Sequence, residues 1–199
     1  MQRLGKRNDI RKPITVDVLK RLILILHHVR KSIYETTLFR AAFALAFFGF
    51  MRIGEITYVN KNADNHVLKI SDIKFNDIDS EVFTIMSSKT DQIGCSTNLI
   101  LSSNDNDNEL CVVKMLKDYL QLRPDSQGQL FCHLNHNKLT RFQFLAVLRS
   151  ALNFISLNPQ EFKTNAFLIG DAKRMRKTNL GRWNSNSLKY YIRLSRFVN

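Results

Sequence analysis

The sequence predicts a mainly α-helical domain carrying one small antiparallel β-sheet. Apolar residues recur at helical spacing in several separate stretches. Between His66 and Leu101 the texture changes to short runs of strand-forming residues bounded by Asn, Asp, Ser and Gly. The 199 residues, 44% of them hydrophobic, suffice for one core.

Taken in order, Met1 to Pro13 holds five Lys or Arg and few apolar residues, and is expected to be a basic linker or arm. Residues 14–199 form the expected domain. Thr15 can cap a helix to about Val29, with Val18, Leu19, Leu22, Ile25, Leu26 and Val29 on a broad apolar face. A second helix, from about Thr36 to Phe50, is apolar on most sides through Phe39, Ala42, Phe43, Ala46 and Phe47. That pattern belongs to a central core helix. Gly49 and Gly54 mark a tight approach or turn around Arg52.

Three strands are expected at His66–Ile70, Val82–Met86 and Asn98–Leu101, followed by a polar loop at Ser102–Asn108. Leu110, Val113, Leu116, Lys117 and Leu120 fit a helix to about Leu122, and Pro124 to Gly128 a turn. Thr140 with Gln143 makes a capping box for a helix with Phe144, Val147, Leu148, Ala151 and Ile155 as its buried stripe. Pro159 ends that region, and a short last helix covers about Ser185 to Leu194. There is no internal repeat.

The formal net charge is +13, large for this length. Such an excess favours a polyanionic partner, with nucleic acid the first expectation and an anionic membrane surface the second. The longest apolar stretch, Ala41 to Met51, is too short to span a bilayer, so no membrane insertion is expected. Met1 to Pro13 lacks the apolar segment of a secretory signal. The three cysteines, Cys95, Cys111 and Cys132, read as free thiols in a reducing compartment. Cys132, His133 and His136 lie close together, but without a second ligand pair a turn is expected there rather than a metal. An intracellular location follows, nuclear if the source is eukaryotic.

Two stretches suggest chemistry. Met51-Arg52-Ile53-Gly54-Glu55-Ile56 places a charge directly after the apolar run Phe43–Met51. Thr164 to Leu194 is dense in Lys and Arg, holds the one tryptophan, Trp183, and closes on Tyr190-Tyr191-Ile192-Arg193. Together, with Leu130–Phe144 in support, they resemble the tyrosine recombinases, the phage-integrase type of DNA strand transferase. The versions carried by eukaryotic mobile elements look nearest. The resemblance covers about residues 11 to 196.

It implies the recombinase catalytic-domain fold, a double-stranded DNA partner, and DNA breakage and rejoining in recombination or integration. In such proteins a separate helical DNA-clamping domain precedes this point, and here none is expected. Self-association on DNA is implied in the same way. No cofactor and no metal are expected, because the reaction is carried by side chains. A phenolate attacks phosphorus and later leaves. Guanidinium groups match the charged oxygens of the pentacoordinate transition state. A lysine can protonate the departing 5′ oxygen.

Carried over residue by residue, Tyr191 resembles the nucleophile, Arg52 the first catalytic arginine, Lys89 the general acid and Trp183 an indole donor to the phosphate. Glu55, one turn after Arg52, would orient it. Each has a plainer reading: Arg52 and Glu55 as surface charges, Lys89 as a turn lysine, Trp183 as core. Tyr191 shares a helix face with Leu188, Ile192 and Ser195 and would then pack. Arg141 and Thr140 at a helix start, with Lys163, Arg182 and Arg193, suit phosphate contacts.

The active site is degenerate against the resembled pattern His-Ser-Phe-Arg-Ile-Gly. This chain has Asn165-Ala166-Phe167-Leu168-Ile169-Gly170. Asn165 can donate a hydrogen bond but transfers no proton at neutral pH, and Leu168 offers neither charge nor donor. By analogy with an oxyanion donor, the lost guanidinium costs on the order of 10²–10³ in rate. The stretch from Gly170 to Gly181 is also short against the pattern, by about ten residues or ~15 Å of helical rise. Arg174 or Arg176 could replace the missing guanidinium or could form a solvated charge run. The expectation is a recombinase-like domain with impaired strand transfer, against a non-catalytic DNA-binding remnant or a basic interaction domain.

Overall fold

The computed structural model describes residues 12–59, 67–75, 82–85, 99–102, 110–163 and 165–168. It is mainly helical with one three-stranded antiparallel sheet, as the patterning predicts. Helix α1 spans Val16–Val29, and the Thr15 hydroxyl accepts the Val18 N–H at 3.3 Å. Leu19, Leu22, Ile23 and Leu26 are buried, while Val18, Ile25 and Val29 flank the core.

Helix α2 spans Ile33–Phe48 and begins earlier than the expected Thr36, because Ser32 caps it by accepting the Glu35 N–H. Ile33 hides the boundary from a periodicity argument, since it is apolar yet 79% exposed. From Ala41 to Phe47 every residue is buried, so α2 is the central helix. It packs against both α1 and α4 (Val112–Leu122), and α1 packs against α5 (Arg141–Phe154).

At the end of α2, Gly49 is the tight approach, since a Cβ there would lie 2.6 Å from the Leu45 carbonyl oxygen. Gly54 is not, because its added Cβ would meet nothing within 4 Å. Gly54 instead lies inside a one-turn helix, α3 (Ile53–Ile56), too short for any periodic signal. Between them the Phe50 N–H returns to the Phe47 carbonyl, and the Met51 N–H to that of Ala46. This closes a Schellman turn around Phe50 at φ 50°. The left-handed residue is a phenylalanine where glycine is usual, a conformation that costs about 1–2 kcal/mol.

The sheet runs β1 (Ile73–Phe75), β2 (Val82–Ile85), β3 (Leu99–Ser102) in spatial order. Ile73 pairs with Ile85, and Ile85 with Leu99. The first strand lies later than the expected His66–Ile70. That stretch is extended at Lys69, but it bonds to α3 and to the loop before Leu130 rather than to a strand. The Leu68 N–H donates to the Glu55 carbonyl, the Leu68 carbonyl accepts from Leu130, and Lys69 bridges Gln129. Ile70–Asp72 then forms a 3-10 turn closed by Asp72 Oδ2 on the Lys69 N–H at 2.8 Å.

The expected turn after α4 is built on Arg123. Its guanidinium donates to four backbone carbonyls, of Pro124, Ser126, Gln129 and Leu130, at 2.8–2.9 Å. Gly128 takes φ 109°. Beneath it Tyr119 is fully buried, accepting the Cys132 N–H and donating to the Leu130 carbonyl, both at 3.0 Å. The Cys132–Lys138 region is a turn, closed by a Cys132–Lys138 bridge with His136 at φ 64°. The expected α5 stripe of Phe144, Val147, Leu148, Ala151 and Ile155 is buried, and the Thr140–Gln143 capping box is present. The basic arm up to residue 11, the polar loop at 103–109 and the last helix lie outside the described residues.

Candidate nucleic-acid site

Arg52 stands at the N-cap of α3, two residues beyond the left-handed Phe50. Its backbone N–H donates to Glu55 Oε2 at 2.7 Å, and the Glu55 N–H donates to the Arg52 carbonyl at 2.8 Å. The Glu55 carboxylate thus supplies the returning half of a capping box, and with the backbone bond it orients the Arg52 main chain. Glu55 is only 4% exposed, which removes the surface-charge reading for it.

After α3 the chain crosses to the start of α5. The Tyr58 N–H donates to the Leu139 carbonyl at 2.8 Å, and the Arg141 N–H donates to the Tyr58 carbonyl at 3.0 Å. This short parallel bridge ties the arginine segment to Thr140 and Arg141. Arg141 is exposed at the first position of α5. The Thr140 hydroxyl belongs to the cap, accepting the Gln143 N–H at 3.2 Å and donating to Gln143 Oε1 at 2.7 Å. Lys138 Nζ lies 4.5 Å from the centre of the Tyr58 ring.

A third segment, 165–168, carries the two substituted positions. Phe167 between them is fully buried, and its ring lies 5.7 Å from both Phe43 of α2 and Phe144 of α5. Phe43 and Phe144 meet edge-on at 4.9 Å. The Ala166 carbonyl accepts the Ile14 N–H at 2.9 Å, so the chain ahead of α1 also holds this segment. Lys12 and Glu161 form an ion pair alongside, at 2.8 Å. Asn165 is partly buried and Leu168 is 7% exposed. Lys163, two residues before Asn165, is exposed.

Arg52, Thr140, Arg141 and the 165–168 segment are therefore anchored to one framework, α2 with α5. Lys89, Arg174, Arg176, Arg182, Trp183, Tyr191 and Arg193 lie outside the described residues. Two other phenols are poor nucleophile candidates. Burial raises the Tyr119 hydroxyl far above its ordinary value and pushes Tyr34 up to about 12, and both donate to backbone carbonyls. Tyr58 and Phe167 were not visible as site-building residues in the sequence, since their partners are remote along the chain. Among the described residues no three His, Cys, Asp or Glu gather as a metal site, and no helix is long and apolar enough to cross a membrane.

Helices packed on a central α2 beside a three-stranded sheet define the class of fold. The fold is that of a tyrosine recombinase catalytic domain. The solved structures it resembles include XerH site-specific recombinase bound to palindromic difH substrate, in a post-cleavage complex. The TM-score there is 0.62 at 16% identity, over 95% of this chain and 51% of that one. The pre-cleavage complex of XerH with difH gives 0.57 at 18% identity, over 94% and 52%. The chain thus spans about half the length of those recombinase chains. No family model and no curated protein sequence matches it.

Proposed function

We propose that this chain is a DNA-binding domain of tyrosine-recombinase type, with strand-transfer chemistry impaired at Asn165 and Leu168. The observation that carries the reading is the recombinase fold over 95% of the chain. The Glu55 hold on the Arg52 backbone supports the assignment of Arg52. In the proposed reaction the Tyr191 phenol loses its proton to water, the phenolate attacks phosphorus, the bond to the 5′ oxygen breaks, and a 3′-phosphotyrosine forms. Lys89 gives its proton to the departing oxygen, and Arg52 with Trp183 stabilises the phosphorane. Duplex DNA is the partner, with Arg141, Thr140, Lys163, Arg182 and Arg193 on phosphates and self-association on paired sites. Recombination or integration within a mobile element, in the nucleus of a eukaryotic host, is the setting this implies.

The second reading is a DNA-binding remnant without chemistry, and Leu168 favours it. A buried leucine supplies no cation where a guanidinium is needed. Covalent trapping separates the two. The protein is incubated with nicked duplexes, denatured, and assayed for DNA attached to protein. Attachment that vanishes in Tyr191→Phe establishes strand transfer. Attachment only in the Asn165→His, Leu168→Arg variant establishes a recombinase disarmed at those positions. Duplex binding with no attachment in either leaves the remnant, and no duplex binding at all overturns the proposal.

A further inference from the structure

A second polar cluster lies behind the start of α5, outside the arginine site. The turn between Cys132 and Lys138 carries His133, whose backbone N–H donates to the Asn137 carbonyl at 2.8 Å. The His133 side chain is 14% exposed, and its Nδ1 lies 2.7 Å from Oε1 of Glu35 on α2. Its Nε2 is shut away from solvent and makes no hydrogen bond. Three groups act on the charge of the ring: Glu35 from α2 and the Gln143 side chain from α5 favour it, and Arg30 at the end of α1 opposes it.

Gln143 holds the first turn of α5. Its Oε1 accepts from both the Thr140 N–H and the Thr140 hydroxyl, at 2.9 and 2.7 Å. A neutral imidazole that gives its one proton to Glu35 leaves Nε2 as a buried acceptor without a donor. A protonated imidazole has a hydrogen on both nitrogens. The second then competes with the Thr140 hydroxyl for Gln143 Oε1, the oxygen that Thr140 otherwise fills. Protonation thus joins α2, the turn and the α5 cap into one network, whereas the neutral form leaves one buried atom unsatisfied.

We propose that His133, charged against Glu35, is a proton-controlled positioning residue that fixes the first turn of α5, and with it Thr140 and Arg141, for contact with DNA phosphate. The phosphate clause rests on the DNA-binding reading above. A phosphate bound at this turn adds negative charge near the imidazolium, so DNA binding and protonation reinforce each other. The Glu35 hydrogen bond raises the His133 pKa above its ordinary value, outweighing the opposing effects of burial and of Arg30. With a raised folded-state value, the stabilisation is full below the unfolded value near 6.5. It is lost as pH rises through the raised folded value.

The test follows the His133 ring by NMR, the thermal midpoint and duplex affinity from about pH 5.5 to about pH 9, on both sides of the ordinary histidine value. Wild type is compared with Glu35→Gln and His133→Gln. In wild type, His133 titrates above its ordinary value, and stability and affinity fall together across that titration. The affinity change is at most about tenfold for each unit by which DNA moves the histidine pKa. Glu35→Gln lowers the titration and flattens both profiles, and His133→Gln flattens them without any titration to follow.

A wild-type His133 that titrates at or below the ordinary value overturns the clamp. So does a Glu35→Gln protein with wild-type pH profiles. If wild type binds no duplex at any pH, the DNA reading and the phosphate clause fall together. The ring titration and the stability profile then still decide whether the clamp exists.

Discussion

The Glu55 carboxylate accepts the backbone N–H of Arg52 at 2.7 Å, and the Glu55 N–H answers to the Arg52 carbonyl at 2.8 Å. Arg52 is thereby fixed through its main chain, whatever its guanidinium meets. Replacing Glu55 with Ala leaves that part-buried N–H without its side-chain acceptor and costs about 0.5–2 kcal/mol of stability. Glu55→Gln keeps one accepting oxygen and loses less. Urea denaturation measures both, and equal midpoints for Glu55→Ala and wild type would remove the positioning role.

Phe167 anchors the substituted segment. Its ring fills the angle between Phe43 and Phe144, so Phe167→Ala is expected to cost about 3–5 kcal/mol. A double-mutant cycle with Phe43→Ala should show a coupling of about 0.5–1.5 kcal/mol. Additive effects would mean that the rings do not share one pocket.

Arg123 satisfies four carbonyls at once. Arg123→Lys keeps the charge but loses the planar fork, so it is expected to recover little of the loss in Arg123→Met, at least about 2 kcal/mol. Limited proteolysis reads this locally, with new cutting between Pro124 and Gly128. A lysine variant as resistant as wild type would show that charge alone holds the turn.

Arg141 is exposed beside a helix start, where a phosphate would gain from both guanidinium and helix dipole. Arg141→Ala should weaken duplex binding regardless of sequence. It should also reduce the slope of log K against log salt by about 1. An unchanged slope, with affinity lowered for some sequences only, would assign Arg141 to base contact instead.

The local part of this architecture was legible in the sequence. Thr15 caps α1 and Thr140 with Gln143 caps α5 where the spacing predicts, because a cap is decided within four residues. Arg52 and Glu55 are legible for the same reason. Pairings between remote segments were not. His66–Ile70 has strand composition, yet its partners are Glu55 and the Gly128–Leu130 loop, and composition does not say which neighbour accepts a bond. The burial of Tyr119 and the Phe43–Phe144–Phe167 contact likewise depend on packing between elements far apart in the chain. His133 suggested only a turn, and Glu35 supplies what that reading lacked.

The left-handed joint at Phe50 sets a mechanical tolerance for Arg52. Only four residues separate Ile53 from the end of a helix that has no exposed face between Ala41 and Phe47. A chain that short has no slack to absorb an added or missing residue, which would displace the arginine by up to about 3.5 Å and reverse its direction. Insertions elsewhere can be looped out to solvent, but here the length of the connection is itself part of the site.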